Sequence, residues 1–286
     1  MAIKYLDAKR LQGTNAERLA LSDETGYVVF DGSGDYATAG SVSNFNFLHD
    51  GSSFSVSFWA YRNGSPASNE PQFLATMGAT SADTGFGVYM ETDGDLIIMY
   101  GGGSFAVTTA VNIPDTTWTH ITITQSGTSL KWYKNGALEQ TVSTSGGSGN
   151  SAYVLNFARN PHGGGTVLNC RISDVGMWED HVLSDDDIDK LSGTNGQSVT
   201  RITDDGTGFD YSSSNIVHHW TLFTDYTDSK GSLNGTASGD PTFATAGSPT
   251  TSTYPSLPNG TIFNETDAYK YFMFDGTDTW NQMVSS

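Results

Sequence analysis

Residues 118–142, WTHITITQSGTSLKWYKNGALEQTV, decide the fold. From His120 to Thr124 isoleucine alternates with threonine, the period-2 pattern of a strand with one buried face, and Ser126-Gly127-Thr128 breaks it. Asn135-Gly136 then supplies a two-residue hairpin turn. A turn of that length fixes register. It sets Tyr133 opposite Leu138 and Trp132 opposite Glu139, with the two rings on opposite faces of the sheet.

The same grammar extends upstream. FSVSFWAY at 54–61 alternates Phe54, Val56, Phe58 and Ala60 against Ser55, Ser57, Trp59 and Tyr61, so one face is core and the other carries two aromatics. YVVFDGSGDYATAG from Tyr27 gives a strand, an Asp31-Gly32 turn and a second strand near Tyr36. Further strands are expected at 73–77, 85–90, 96–100 and 105–111. Downstream, 152–157, 167–178, 216–223 and 236–245 read the same way. One helix is expected after Ser184, because Ser184-x-x-Asp187 forms a capping box and Asp185 to Asp187 place carboxylates where the helix dipole favours them. Three consecutive helical residues cannot converge on one ion, so capping explains this triplet better than a metal does. Residues 192–215 read as a polar excursion.

Thirty-three glycines and repeated Asn-Gly and Asp-Gly pairs between Val, Ile, Tyr, Phe and Thr segments define an all-β class, a sandwich or barrel. A net charge of −18 repels a phosphate backbone and excludes nucleic acid as a partner. Cys170 is the single cysteine, so no intrachain disulfide or cysteine metal cluster is expected, and its apolar surroundings predict a buried thiol. No run of 18 apolar residues and no apolar leader is seen, which predicts neither a membrane span nor standard export.

FDGSGDYATAG at 30–40, FSVSFWAY, WTHITITQSGTSLKWYKNG and ISDVGMWEDHVLSDDDIDKL at 172–191, in that order, resemble the laminin-G-like, concanavalin A-like jelly-roll family. The resemblance spans residues 27–245 and implies a two-sheet antiparallel sandwich. HHWTLFTDYTDSKGSLNGTASGDPTF at 218–243 also looks like the family's tryptophan strand and Asp-x-x-Gly loop, placed last here, as in a circular change of order. The resemblance implies Ca²⁺ as a cofactor, held by Asp228, Gly231 and Asn234 with Asp174 as partner; the alternative is that Asp228 and Asn234 only make Asx turns. It also implies a sugar site, for which Trp59, Tyr61, Tyr89, Tyr100 and Trp132 are the stacking candidates, packing being the competing fate for each. His218-His219 is not a metal pair, because neighbours on a strand point to opposite faces: one packs inward, the other faces out. Glu91-x-Asp93-x-Asp95 centres on an Asp-Gly turn, so it is not a row of catalytic carboxylates.

Four pieces are expected: an N-terminal arm (1–26), the jelly roll (27–247), a linker (248–259) and a C-terminal β segment (260–286). The last is too short to hold a sheet alone. Phe263, Tyr271, Phe272, Phe274 and Trp280 are therefore assigned to assembly, against the sandwich, the arm or another subunit. The two ends resemble flanks of marine-virus virion proteins. The resulting reading is a non-enzymatic virion surface protein, made in the host cytoplasm, with copies of itself or other virion proteins as partners and glycans as candidate ligands. A cellular carbohydrate-binding adhesin is the alternative, and a glycan-cleaving enzyme the distant third.

Overall fold

The structure is a computed structural model that describes residues 4–7, 10–13, 26–66, 71–101, 106–108, 111–162, 165–194, 202–203, 209–210, 215–249, 262–265, 270–274 and 280–283. It forms two compact units: Gly26–Thr250, and the two chain ends, Met1–Thr25 with Thr251–Ser286.

The larger unit is a sandwich of two sheets. Numbered in chain order, the front sheet contains β1 (Tyr27–Asp31), β2 (Phe54–Arg62), β3 (Trp118–Ser126), β4 (Ser129–Lys134), β5 (Ala137–Ser143), β6 (Asn169–Glu179), β7 (Ile216–Trp220) and β8 (Thr242–Ala244). Their spatial order is β5-β4-β3-β2-β6-β1-β8, with β7 also paired to β6. The back sheet runs Val111–Asn112, Asp95–Gly101, Gly85–Met90, Gln72–Ala75, Leu155–Phe157, Tyr36–Ala39, Thr236–Ser238. All these pairings are antiparallel. The core lies between the sheets, where Phe54 meets Phe86, Phe58 meets Phe73 and Trp220 meets Phe157 at ring separations of 5.8, 6.2 and 5.6 Å. Cys170 sits in it, fully buried.

The stretch 118–142 forms the expected three strands, with one change of register. Lys134 faces Ala137 and Tyr133 faces Leu138, but Trp132 faces Gln140 rather than Glu139. A β-bulge inserts Glu139 between the two pairs, and Glu139 forms an ion pair with Lys134 at 3.3 Å.

A second change concerns the outer face of the front sheet. The Ile/Thr alternation predicts one buried face, yet Thr122, Thr124, Ser57 and His120 are buried as fully as Ile121 and Ile123. The single α-helix among the described residues, α1 (Asp185–Ser192), covers part of that face through a second cluster of Tyr133, Trp178, Leu183, Ile188, Leu191, Ile202 and Ile216. The Ser184/Asp187 capping box is present as predicted, and Gly193 closes the helix in left-handed backbone.

β6 changes neighbours midway. Asn169 to Ile172 pair with β1, Val175 to Trp178 pair with β7, and Asp174 at the junction has a left-handed φ of 52°. Aspartate tolerates that backbone better than most residues. After β7 the chain returns through Thr236–Ser238 in the back sheet and β8 in the front sheet, pairing with Tyr36–Ala39 and β1 respectively. The last strands thus lie beside the first ones, as the altered strand order requires.

In the smaller unit the two chain ends make one sheet, ordered Lys4–Asp7, Arg10–Gly13, Ile262–Glu265, Lys270–Phe274, Trp280–Gln282. The N-terminal arm answers what the short C-terminal segment pairs with: Arg10–Gly13 runs parallel to Ile262–Glu265. No helix among the described residues is long and apolar enough to cross a membrane.

Candidate functional site

The Asp228 loop is a hydrogen-bonded turn. Oδ1 of Asp228 accepts from the amides of His219 (2.9 Å), Gly231 (2.9 Å) and Lys230 (3.3 Å), and Oδ2 accepts from the amide of Leu233 (3.1 Å) and pairs with Nδ1 of His218 (2.7 Å). The amide of Asp228 donates in turn to Oδ1 of Asn234 at 3.0 Å. Burial would raise the carboxyl pKa, but the bonds from His218, His219 and Gly231 win and bring it down to about 2. A calcium ion needs oxygen lone pairs that face it, whereas here both oxygens already accept from N–H groups. Asp174 is taken by a different histidine, and no group of three or more His, Cys, Asp or Glu among the described residues could hold a metal ion. The residue set Asp228, Gly231, Asn234 and Asp174 therefore does not fit calcium, and the Asx-turn alternative describes it. Gly231 is required by proximity, since a Cβ there would fall on the Asp228 carboxylate and the His218 ring.

The two histidines point to opposite faces as expected, but neither is free in solvent. His218 stacks on Trp220 at 5.3 Å, while His219 is 1% exposed and joins Asp174 Oδ1 to Ser229 Oγ, at 2.7 Å through Nε2 and 2.9 Å through Nδ1. The connectivity is that of a hydrolase triad. Around Ser229, however, its own amide donates to the His219 carbonyl and those of Lys230 and Gly231 donate to Asp228, so the nearest backbone donors are already engaged rather than aimed at an oxyanion. The trio is a clasp that ties β6, β7 and the following loop together.

The aromatic candidates separate. Trp132 (0% exposed) and Tyr100 (1%) lie in the core between the sheets and cannot stack on a sugar, a correction that follows from the inward face of β4 and of Asp95–Gly101. Trp59 is buried on the outer face against His120, ring to ring at 4.9 Å. Tyr61 is half-buried and packs on Trp118 at 5.2 Å, with the Arg171 guanidinium 4.4 Å above its ring. That patch is tied down by Trp118 Nε1 donating to the Gly247 carbonyl and Tyr27 Oη donating to the Ala246 carbonyl. Tyr89 is half-buried on the outer face of the back sheet beside Ile97 and Met99, with Glu91 at its hydroxyl. The five do not form one site.

Of the assembly set, Phe263 and Phe272 face each other across adjacent strands and are buried, whereas Tyr271 is 52% exposed. Phe274 pairs with Trp280 in the ladder; their side chains lie outside the described residues.

The concave feature that sequence reasoning missed lies on the outer face of the front sheet, between α1 and the β3-β4-β5 meander. It has two adjoining parts of about 280 and 200 Å³ that share Lys131, Tyr133 and Asp185. Thr124, Ser126, Ser129 and Val182 to Ser184 complete the first part; Gly136, Leu138 and Asp189 complete the second. Leu138 and Val182, 51% and 38% exposed, are the only exposed large hydrophobics among the described residues of the sandwich, and both line it. The Tyr133 hydroxyl lies 3.5 Å from Asp185 Oδ1, and burial with the Asp185 charge pushes its pKa up, so it remains a donor. Lys131 makes no ion pair among the described residues. The period-2 outward positions of β4 were legible in the sequence, but the wall supplied by α1 is a tertiary contact and was not.

Fold and site together define a laminin-G-like β-sandwich with a groove on one sheet. Residues 31–189 match the family model of the concanavalin A-like lectin/glucanases superfamily (Laminin_G_3), and the chain belongs to that superfamily. Among solved structures, a candidate carbohydrate-binding protein from Bacteroides ovatus aligns with a TM-score of 0.54 at 15% identity, covering 78% of this chain and 60% of that one. The heptameric SAP-like pentraxin of Limulus polyphemus aligns with a TM-score of 0.43 at 14% identity, covering 75% of this chain and 95% of that one. At 15% identity the likeness to the Bacteroides structure is one of fold, and this chain spans about three fifths of its length. Comparison with curated proteins gives no match.

Proposed function

We propose that the chain is a non-catalytic carbohydrate-binding module whose ligand lies in the groove between α1 and the β3-β4-β5 meander. The observation that carries this reading is the lining: hydroxyls of Thr124, Ser126 and Ser129, an ammonium, a carboxylate and a phenol converge in one concavity with exposed Leu138 and Val182. A saccharide offers the matching surface, hydroxyls that both donate and accept beside C–H faces that favour apolar contact. Membership of a lectin and glucanase superfamily and the description of the Bacteroides ovatus structure agree with it. Binding without cleavage is supported because Asp185 and Asp189 stand on one wall, a single helical turn apart, rather than on opposite sides of a scissile bond. Glu91, Asp93 and Asp95 surround a turn closed by the Glu91 amide to the Asp95 carbonyl at 2.8 Å. Display on a virion surface is the proposed setting, supported by the resemblance of the flanks, with the exposed Tyr271 side of the end sheet as the assembly face. Glycan-array binding by the intact chain tests the ligand class, and peptide mass spectrometry on purified particles tests the setting. An array without hits would remove the carbohydrate reading, and absence from particles would favour a cellular adhesin.

A further inference from the structure

Resting on the carbohydrate reading, the geometry points to an uncharged saccharide whose neighbouring hydroxyls bridge Lys131 on the floor and Asp185 on the wall, in a groove that discriminates against acidic sugars. Lys131 and Asp185 line both parts of the groove, yet they stand too far apart to form an ion pair with each other. A donor-only group on one side and an acceptor-only group on the other suit a ligand that does both jobs at once. A vicinal diol does so: one hydroxyl accepts from the ammonium while its neighbour donates to the carboxylate. A carboxylated or sulfated sugar would gain Lys131 but would meet Asp185 and Asp189, in a protein of net charge −18. A cationic amino sugar would gain the carboxylates and lose Lys131. A neutral polyol meets both walls without bringing a like charge to either. Leu138 and Val182 then flank the bridged ring from the two ends of the groove.

The charge pattern makes the test diagnostic, because the two walls respond in opposite directions to a charged ligand and in the same direction to a neutral one. Wild-type chain, Lys131→Met and Asp185→Asn are compared on an array carrying neutral glycans with their sialylated and sulfated counterparts, and dissociation constants are measured for the hits. Asp185 is exposed and Lys131 half-buried, and unchanged circular dichroism and melting temperature confirm the fold. The expected result is that neutral glycans bind and that each variant weakens them by about tenfold or more, the usual cost of a hydrogen bond to a charged group. Acidic hits strengthened by Asp185→Asn and abolished by Lys131→Met would overturn this inference while leaving the carbohydrate reading intact. Neutral hits indifferent to both variants would overturn it by placing the site elsewhere. No hits at all would overturn the carbohydrate reading with it.

Discussion

Asp174 and His219 meet at 2.7 Å, carboxylate to ring, at the point where β6 leaves β1 for β7. The Asp174 amide also donates to the Thr221 carbonyl at 2.9 Å, so backbone and side chain hold β7 from the same residue. Both partners are buried, at 4% and 1% exposure. Removing one leaves a buried polar atom of the other without this partner, which typically costs about 1–3 kcal/mol. Asp174→Ala and His219→Ala should each lower the urea midpoint strongly, and the double variant should cost much less than their sum. Additive losses would mean that the pair is not coupled.

The Asp228 loop gives an expectation about metal. Because its carboxylate already accepts from five N–H groups, adding or chelating calcium should leave the melting temperature of the sandwich unchanged. Gly231→Ala should destabilise by a few kcal/mol at any calcium concentration, since the new methyl would displace that carboxylate. A calcium-dependent rise in melting temperature would show that the loop rearranges around an ion.

Acid should act on buried histidines, His120 and also His49, whose pKa burial lowers from 6.5, and on Asp228. Burial brings the His120 pKa down from 6.5 to about 3, outweighing the pull of Asp174, so between these values the unfolded chain takes a proton that the folded one refuses. Stability contributed by neutral His120 is therefore complete above pH 6.5 and declines as pH falls towards 3, by up to about 1.4 kcal/mol per pH unit for one proton. Asp228 acts lower. Its pKa is depressed from 3.8 to about 2, so its contribution is present above 3.8 and is lost as pH falls towards 2. Urea midpoints measured from pH 8 to pH 4 should fall below pH 6.5 in the wild type and fall less steeply in His120→Asn. Parallel slopes would contradict the assignment to His120.

The two faces of β4 separate structure from binding. Trp132 is fully buried between the sheets, so Trp132→Ala should cost about 3–5 kcal/mol. Trp132→Phe, which keeps most of the buried ring, should leave glycan affinity unchanged although the chain melts earlier. Loss of affinity in a folded Trp132→Phe variant would return that ring to the binding site.

Sequence periodicity carried most of the sandwich, because alternation along Phe54 to Tyr61 and His120 to Thr124 reports which side chains share a face, and the turns at Asp93-Gly94 and Asn135-Gly136 fix where the chain reverses. It failed where a second layer covers the front sheet. Threonine and serine on the outward positions read as solvated, yet Thr122, Thr124 and Ser57 are buried, on a face where α1 and Ile202 add a second cluster and Ser57 bonds His120. The bulge at Glu139 is a one-residue insertion without a signal of its own, and it moved the partner of Trp132 by one position. The site was harder to see for the same reason: Lys131 and Asp185 are 54 positions apart in sequence and become neighbours only through the helix docking. The aspartates that did stand out, Asp174 and Asp228, are conspicuous in sequence and structural in role.

The proposed ligand site is the groove beside α1 rather than the aromatic patch around Tyr61. Leu138→Arg places a large charged side chain at the groove mouth from a 51% exposed position, where substitutions usually change stability by less than about 0.5 kcal/mol. Tyr61→Ala removes the half-buried ring at the centre of the aromatic patch. Measured side by side on one glycan array, Leu138→Arg should abolish binding and Tyr61→Ala should retain it; binding that survives Leu138→Arg and vanishes with Tyr61→Ala would contradict the assignment.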